Sequence, residues 1–245
     1  MRTVRLVIAF QGTRFDGWQS QRTGKTLQEI FEKQLVRILG EKTNLHSSSR
    51  TDSGVHAKGL VAHFKTKNAL PDAKIQAALN FYLPQDVLVV SAKTMSADFH
   101  ARYHAKSKTY EYLIWNSPIR PAYDMAPYCL WHPSPLNLVK MRQATKVLVG
   151  KHDFSAFRDS GDDERDPVRT IYSILIRKTG ARLSIQVRGD GFLRHMVRIL
   201  AGTLIQVGRA KLPIQDIKSA RDAKNRKKTG PTAKAHGLTL LKVQY

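Results

Sequence analysis

Between residues 116 and 135 the chain carries five prolines. Proline lacks a backbone donor and breaks helix interiors and central strands. No long regular element can cross this stretch, so it divides the 245 residues into two blocks joined by a crossover. Each block is long enough to bury a core of its own. The expected organisation is an N-terminal α+β half over 1–116, a crossover over 117–136 and a C-terminal α+β half over 137–245.

Periodicity fills in the halves. Val4, Leu6, Ile8 and Phe10 alternate as one face of a strand. Thr26-Leu27-Gln28-Glu29 has the form of a capping box, with Thr26 accepting from the amide three residues on and Glu29 reaching back. Leu27, Ile30, Phe31, Leu35 and Ile38 then follow the helical period to a stop at Gly40. Strands are predicted over 60–64, 87–92 and 108–115, with a helix over 71–81 between the first two. In the second half the pattern gives helices over 138–149, 192–207 and 213–225, and strands over 170–177, 182–187 and 238–243. Residues 152–166 read as a polar loop, and Thr179-Gly180 as a hairpin turn. The expected fold class is α+β, a largely antiparallel mixed sheet flanked by helices.

Charge restricts the partner. Forty-one Lys and Arg against nineteen Asp and Glu give a net +22, which calls for a polyanion. No apolar run approaches the ~20 residues that span a bilayer, and no basic amphipathic helix with an aromatic face suggests a lipid surface. Nucleic acid is the favoured partner, and no membrane partner is expected. With one cysteine, Cys129, the chain cannot form an internal disulfide, which fits a reducing, cytoplasmic setting.

Metal and cofactor chemistry find little purchase. The nine histidines are scattered, without HExxH, CxxC or a close His/Cys group. The glycines of QGTRFDG match neither a phosphate loop nor a dinucleotide fingerprint, and no nucleophile elbow is present. The segment SSSRTDSGVHAKG, residues 47–59, stands out instead. Asp52 there is flanked by Arg50 and His56, and cationic neighbours favour the carboxylate anion. It is a candidate nucleophile or electrostatic stabiliser. Equally, Asp before Ser-Gly is an ordinary turn residue. Arg194 and Arg198, four apart in a mostly apolar helical pattern, are expected to share a face and to need an anionic partner. Tyr110 and Tyr112 alternate on one strand face, serving either sheet packing or base stacking.

These pieces, taken in order, resemble a TruA-type tRNA pseudouridine synthase, nearly end to end. The similarity rests on FDGWQ at 15–19, RTDSGVHA at 50–57, KTYEY at 108–112, GKHDF at 150–154, residues 192–198, PTA at 231–233 and HGL at 236–238. RTD-GVHA is the most specific of them. Ser49, Ser53 and Phe10-Gln11 depart from the family's usual residues.

The resemblance implies a cofactor-free, metal-free isomerase that detaches uracil from C1′ of a uridine in tRNA, turns it and rejoins it through C5. It implies targets at positions 38, 39 and 40 of the anticodon stem-loop, and a homodimer. It makes Asp52 the essential aspartate, attacking C1′ or assisting a glycal-type loss of uracil. Arg198 becomes its ion-pair partner and Tyr110 the residue that stacks on the base and helps move the C5 proton. Arg50 becomes the cation that helps extrude the nucleotide, a step costing a few kcal/mol of unstacking. His56 joins the substrate-binding set, with Leu238, or alternatively Leu240, as an apolar wall under the base. Arg22, Lys25, Arg102 and Arg194 are expected along the RNA backbone.

Two other readings compete. A non-catalytic RNA binder accounts for the charge and the tyrosines but leaves Asp52 facing phosphates without a task. A carboxylate-based nucleosidase calls for a second carboxylate beside the first.

Overall fold

A computed structural model describes residues 1–21, 25–159 and 166–245. In chain order its strands are β1 (Arg2–Phe10), β2 (His46–Ser47), β3 (His56–Thr66), β4 (Val87–Met95), β5 (Ser107–Asn116), β6 (Leu130–His132), β7 (Gly150–Asp153), β8 (Val168–Thr179), β9 (Arg182–Gly189) and β10 (Leu238–Gln244). The helices are α1 (Leu27–Leu39), α2 (Asp72–Tyr82), α3 (Leu138–Thr145), α4 (Met196–Gly208) and α5 (Ile214–Asp222). The class is α+β, as the alternating periods require. The strand pairs described are antiparallel apart from β5 with β6. The chain forms two units, residues 1–106 with 240–245, and residues 107–239.

In the first unit β1 lies between β4 and β3, and β3 continues to β10. Register places Val4 opposite Phe64, Leu6 opposite Ala62 and Ile8 opposite Leu60. All six are fully buried, so one sheet face is a continuous apolar layer. Phe31, Leu35, Ile75 and Leu79 from α1 and α2 are buried with them. On the opposite face Val61, Phe99 and Ala101 form a smaller core with Val7, Met95, Val243 and Tyr245.

Helix α1 ends as its sequence predicts, at Gly40 with φ +72°. Its start differs from a full capping box. Glu29 reaches back to Thr26, but the Thr26 hydroxyl donates to the Glu29 carboxylate at 2.8 Å and caps no amide. The buried stripe runs Leu27, Phe31, Leu35, Leu39, so Ile30 and Ile38 sit at its margin.

In the second unit the strand order is β5, β9, β8, β7, with β6 beside β5. Tyr112 faces Ile185 and Ile114 faces Leu183, all fully buried. Of the thirteen residues of α4, eleven are buried, leaving Arg198 and Gln206 in between. Two expectations are corrected here. Of the loop predicted over 152–166, residues 152–157 take regular form, the end of β7 and a 3-10 turn, with Phe154 and Phe157 fully buried, while 160–165 lie outside the described residues. Helix α3 stops at Thr145, whose hydroxyl bonds back to Arg142, and the chain turns toward Gly150 at φ +115°.

Candidate active site

Asp52 lies in the turn between β2 and β3. The Val55 amide donates to the Asp52 carbonyl at 3.1 Å, and Gly54 takes φ +79°, so Ser53-Gly54 forms a tight reversal. A second segment, residues 12–18, is laced to this turn through backbone. The Trp18 amide donates to the Thr51 carbonyl at 3.0 Å, and the Ser53 hydroxyl donates to the Phe15 carbonyl at 3.2 Å. Two glycines permit the approach. A Cβ on Gly12 would stand 1.9 Å from the Val55 oxygen, and one on Gly17 2.5 Å from the Thr51 oxygen. Buried Trp18, packed near Phe31 at 6.1 Å, anchors the segment to α1.

His56, the first residue of β3, is buried, and its Nδ1 accepts from the Gly12 amide at 3.0 Å. When neutral, its ring proton is therefore on Nε2. Around this frame Asp52 is half-buried, while Arg50 and Lys25 are exposed. Arg22 lies outside the described residues.

In the second unit Tyr110 is 5% exposed, and Phe192 meets its ring edge-on at 5.4 Å. Tyr112, two residues on, donates its hydroxyl to the Lys234 carbonyl at 2.9 Å. Burial pushes its phenol well above the ordinary range, against the opposing charge of Arg198. Arg198 is half-buried near the start of α4. Its Nε donates to the Ala233 carbonyl at 2.8 Å, and the Ala233 amide donates back to the Arg198 carbonyl at 3.1 Å.

Residues 230–237 thus form a strap along α4 and β5. Gly202 gives way to the Pro231 carbonyl, the Gly230 amide donates to the Thr203 hydroxyl at 2.9 Å, and Gly237 lies on the Tyr112 ring. The strap leads directly into buried Leu238. Arg198, Tyr112 and Leu238 therefore belong to one interlocked assembly. Tyr112 is the member whose anchoring role is missing from the sequence reading; its alternation with Tyr110 on β5 was the available signal.

Arg194 does not share a helix face with Arg198. The helix begins only at Met196, because His195 sits in the left-handed region at φ +60°, which a right-handed helix cannot continue. Asp159 holds the chain there. Its carboxylate takes His195 Nδ1 at 3.0 Å and stands 4.0 Å from Arg194 Nε, and its amide donates to the Arg194 carbonyl. The Arg194 side chain is 55% exposed. Arg102 is also exposed, in a turn of the first unit. Among the described residues no group of three or more His, Cys, Asp or Glu is placed to hold a metal, and no helix is long and apolar enough to cross a membrane.

A family model described as tRNA pseudouridine synthase matches residues 6–104 and 144–245. Asp52 falls in the first stretch and Arg198 and Leu238 in the second, while Tyr110 and Tyr112 lie between them. The chain is 43% identical to a protein named tRNA pseudouridine synthase A from a Thermoanaerobacter species, over 100% of both chains. Proteins of the same name from Syntrophotalea carbinolica and Ruminiclostridium cellulolyticum are each 44% identical over 100% of this chain, covering 97% and 100% of their own lengths. With a match of this length, and the RTD-GVHA turn intact within it, the chain belongs to the tRNA pseudouridine synthase family, whose members are isomerases.

Proposed function

We propose that the chain converts uridine to pseudouridine at positions 38, 39 and 40 of the tRNA anticodon stem-loop, with Asp52 as the nucleophile. The observation that carries the reading is the lacing of the Asp52 turn. The Trp18 and Val55 amides and the Ser53 hydroxyl fix one carboxylate-bearing residue on a rigid frame, as covalent chemistry requires.

In the nucleophilic route the Asp52 carboxylate attacks C1′ and the bond from C1′ to N1 breaks, with the electron pair leaving on uracil. The base turns, C5 attacks C1′, the carboxylate departs and the C5 proton is removed. In the glycal route Asp52 instead takes the C2′ proton as uracil leaves, giving a C1′–C2′ double bond. C5 of the turned base then adds to C1′ as Asp52 returns the proton to C2′, and in either route N1 gains the proton that C5 loses. Both routes need the carboxylate as an anion, and Arg198, oriented by Ala233, is assigned as its counter-ion. Tyr110, its ring set by Phe192, stacks on the base and assists at C5. Arg50 fills the space of the extruded nucleotide, Leu238 walls the base, and His56 supports the substrate-binding turn. Arg22, Lys25, Arg102 and Arg194 follow the RNA backbone. The working form is a homodimer in the cytoplasm.

The test is Asp52→Asn. The variant is expected to fold and bind tRNA while pseudouridine formation falls roughly 10⁴-fold or more; substantial residual activity sinks the nucleophile assignment. Pseudouridine mapping of tRNA from cells lacking the protein tests the positions, with loss expected at 38, 39 and 40 alone.

A further inference from the structure

Histidines that look scattered in sequence gather in the first unit. His63 stacks against His46 at 5.2 Å and 27°, and His100 meets His63 edge-on at 4.6 Å. Tyr103 lies nearly flat on His100 at 4.2 Å and 28°, and is itself 75% exposed. The result is a staircase of planar rings rising from the sheet to solvent.

Its base is fixed. His63 is buried on β3, and its Nδ1 accepts from the Ala101 amide at 3.2 Å. Burial, aided by the neighbouring charges of His100, His46 and Lys65, lowers its pKa to about 4, so the ring is neutral near pH 7. His100 Nδ1 accepts from the amides of Arg102 and Tyr103 at 3.1 and 3.3 Å, which orders the turn carrying Tyr103. Nitrogens occupied by backbone donors are poor metal ligands. The construction suits stacking, and Lys65 and Arg102, both exposed, act electrostatically on His100 from nearby.

This surface is separate from the Asp52 turn. His56 adjoins that turn and His63 lies seven residues further along β3, roughly 23 Å at the rise of an extended strand. An exposed aromatic face beside cations is the arrangement that holds an unpaired base and its phosphates. We propose that the staircase is a second RNA contact, on which an unpaired base of the substrate tRNA stacks on Tyr103 while flanking phosphates meet Lys65 and Arg102. This rests on the chain acting on tRNA, and not on the role of Asp52.

The test uses the full chain and an unmodified tRNA transcript, with filter binding and steady-state pseudouridine formation. Tyr103→Ala is expected to weaken binding about five- to twentyfold and to raise KM in step, with kcat held within about twofold. Tyr103→Phe keeps the ring and is expected to bind as wild type. Lys65→Ala is expected to lower the slope of log affinity against log salt by about 0.7. Tyr103→Ala binding within twofold of wild type, or a salt slope unmoved by Lys65→Ala, overturns the proposal. Wild-type protein that binds the transcript but makes no pseudouridine defeats the proposed function instead, and the binding ratios still decide this surface.

Discussion

Gly17 is where a left-handed backbone coincides with a close approach to the Asp52 turn. Its φ is +87°, and a Cβ there would lie 2.5 Å from the Thr51 carbonyl oxygen and 3.2 Å from both the Asp52 carbonyl carbon and the Ser53 amide. Gly17→Ala meets two costs. The left-handed backbone costs about 1–2 kcal/mol for a residue with a Cβ. Opening the 2.5 Å approach to an ordinary separation of about 3.5 Å moves one segment by roughly 1 Å. It also loosens the Trp18 amide's bond to the same oxygen. Together about 2–3 kcal/mol is expected, or a melting point lower by roughly 4–12 °C for a chain of this size.

The displaced atom belongs to the residue before Asp52. With Asp52 in its proposed role, a shift near 1 Å at the reacting group costs about 100-fold in rate, so kcat should fall by that order while tRNA affinity changes little. Gly40→Ala is the control. Its φ is +72°, with nothing within 4 Å of the added carbon, so it carries the backbone cost alone and should leave kcat intact. The assay is thermal melting beside single-turnover pseudouridine formation. A folded Gly17→Ala protein with wild-type kcat, or a Gly40→Ala protein equally slow, refutes the reasoning.

Two further outcomes are expected. Tyr112→Phe removes the donor to the Lys234 carbonyl, worth about 1 kcal/mol; the melting point should drop by a few degrees and kcat should fall more than KM rises, because the strap also holds Arg198. His63 has a folded pKa of about 4 against an ordinary 6.5, so between those values the unfolded chain binds more protons. Stability should therefore decline as pH falls from about 6.5 to 4, by on the order of 2–3 kcal/mol, and urea midpoints at pH 7 and 5 should converge in His63→Gln.

Much of the scaffold was legible because burial imposes simple periods. The alternation of β1 and the Gly40 stop of α1 needed no tertiary information. The start of α4 was not legible, since Phe192 to Ile199 reads as continuous helix until Asp159, distant in sequence, draws His195 into a left-handed conformation. The short strand β7 hid for a related reason: four residues are too few to show a period, and its stability comes from pairing with β8. Within the candidate site, RTD-GVHA singled out the turn that carries Asp52, and the structure makes that segment a tight reversal. The roles of Gly12, Gly17 and Tyr112 lay in backbone approaches between remote segments, which residue spacing does not record.

Strand β10 has a consequence for the order in which the protein can be made. Its residues from Leu240 onward complete the first unit. There the Leu241 carbonyl crowds Gly59, the Gln244 carbonyl accepts from the Lys106 amide, and Tyr245 bonds Ala101 across 144 residues of chain. The unit that leaves the ribosome first is therefore the one that finishes last. Until residues 240–245 are synthesised, the strand that follows the Asp52 turn lacks its β10 partner, and the part of that edge not covered by β2 at Ala62 and His63 stays open, the sort of template to which a stray strand can add. A nascent chain of this protein is exposed to mispairing at β3 throughout the synthesis of its entire second unit, and a chaperone that shields β3 during that interval should raise the yield of folded enzyme.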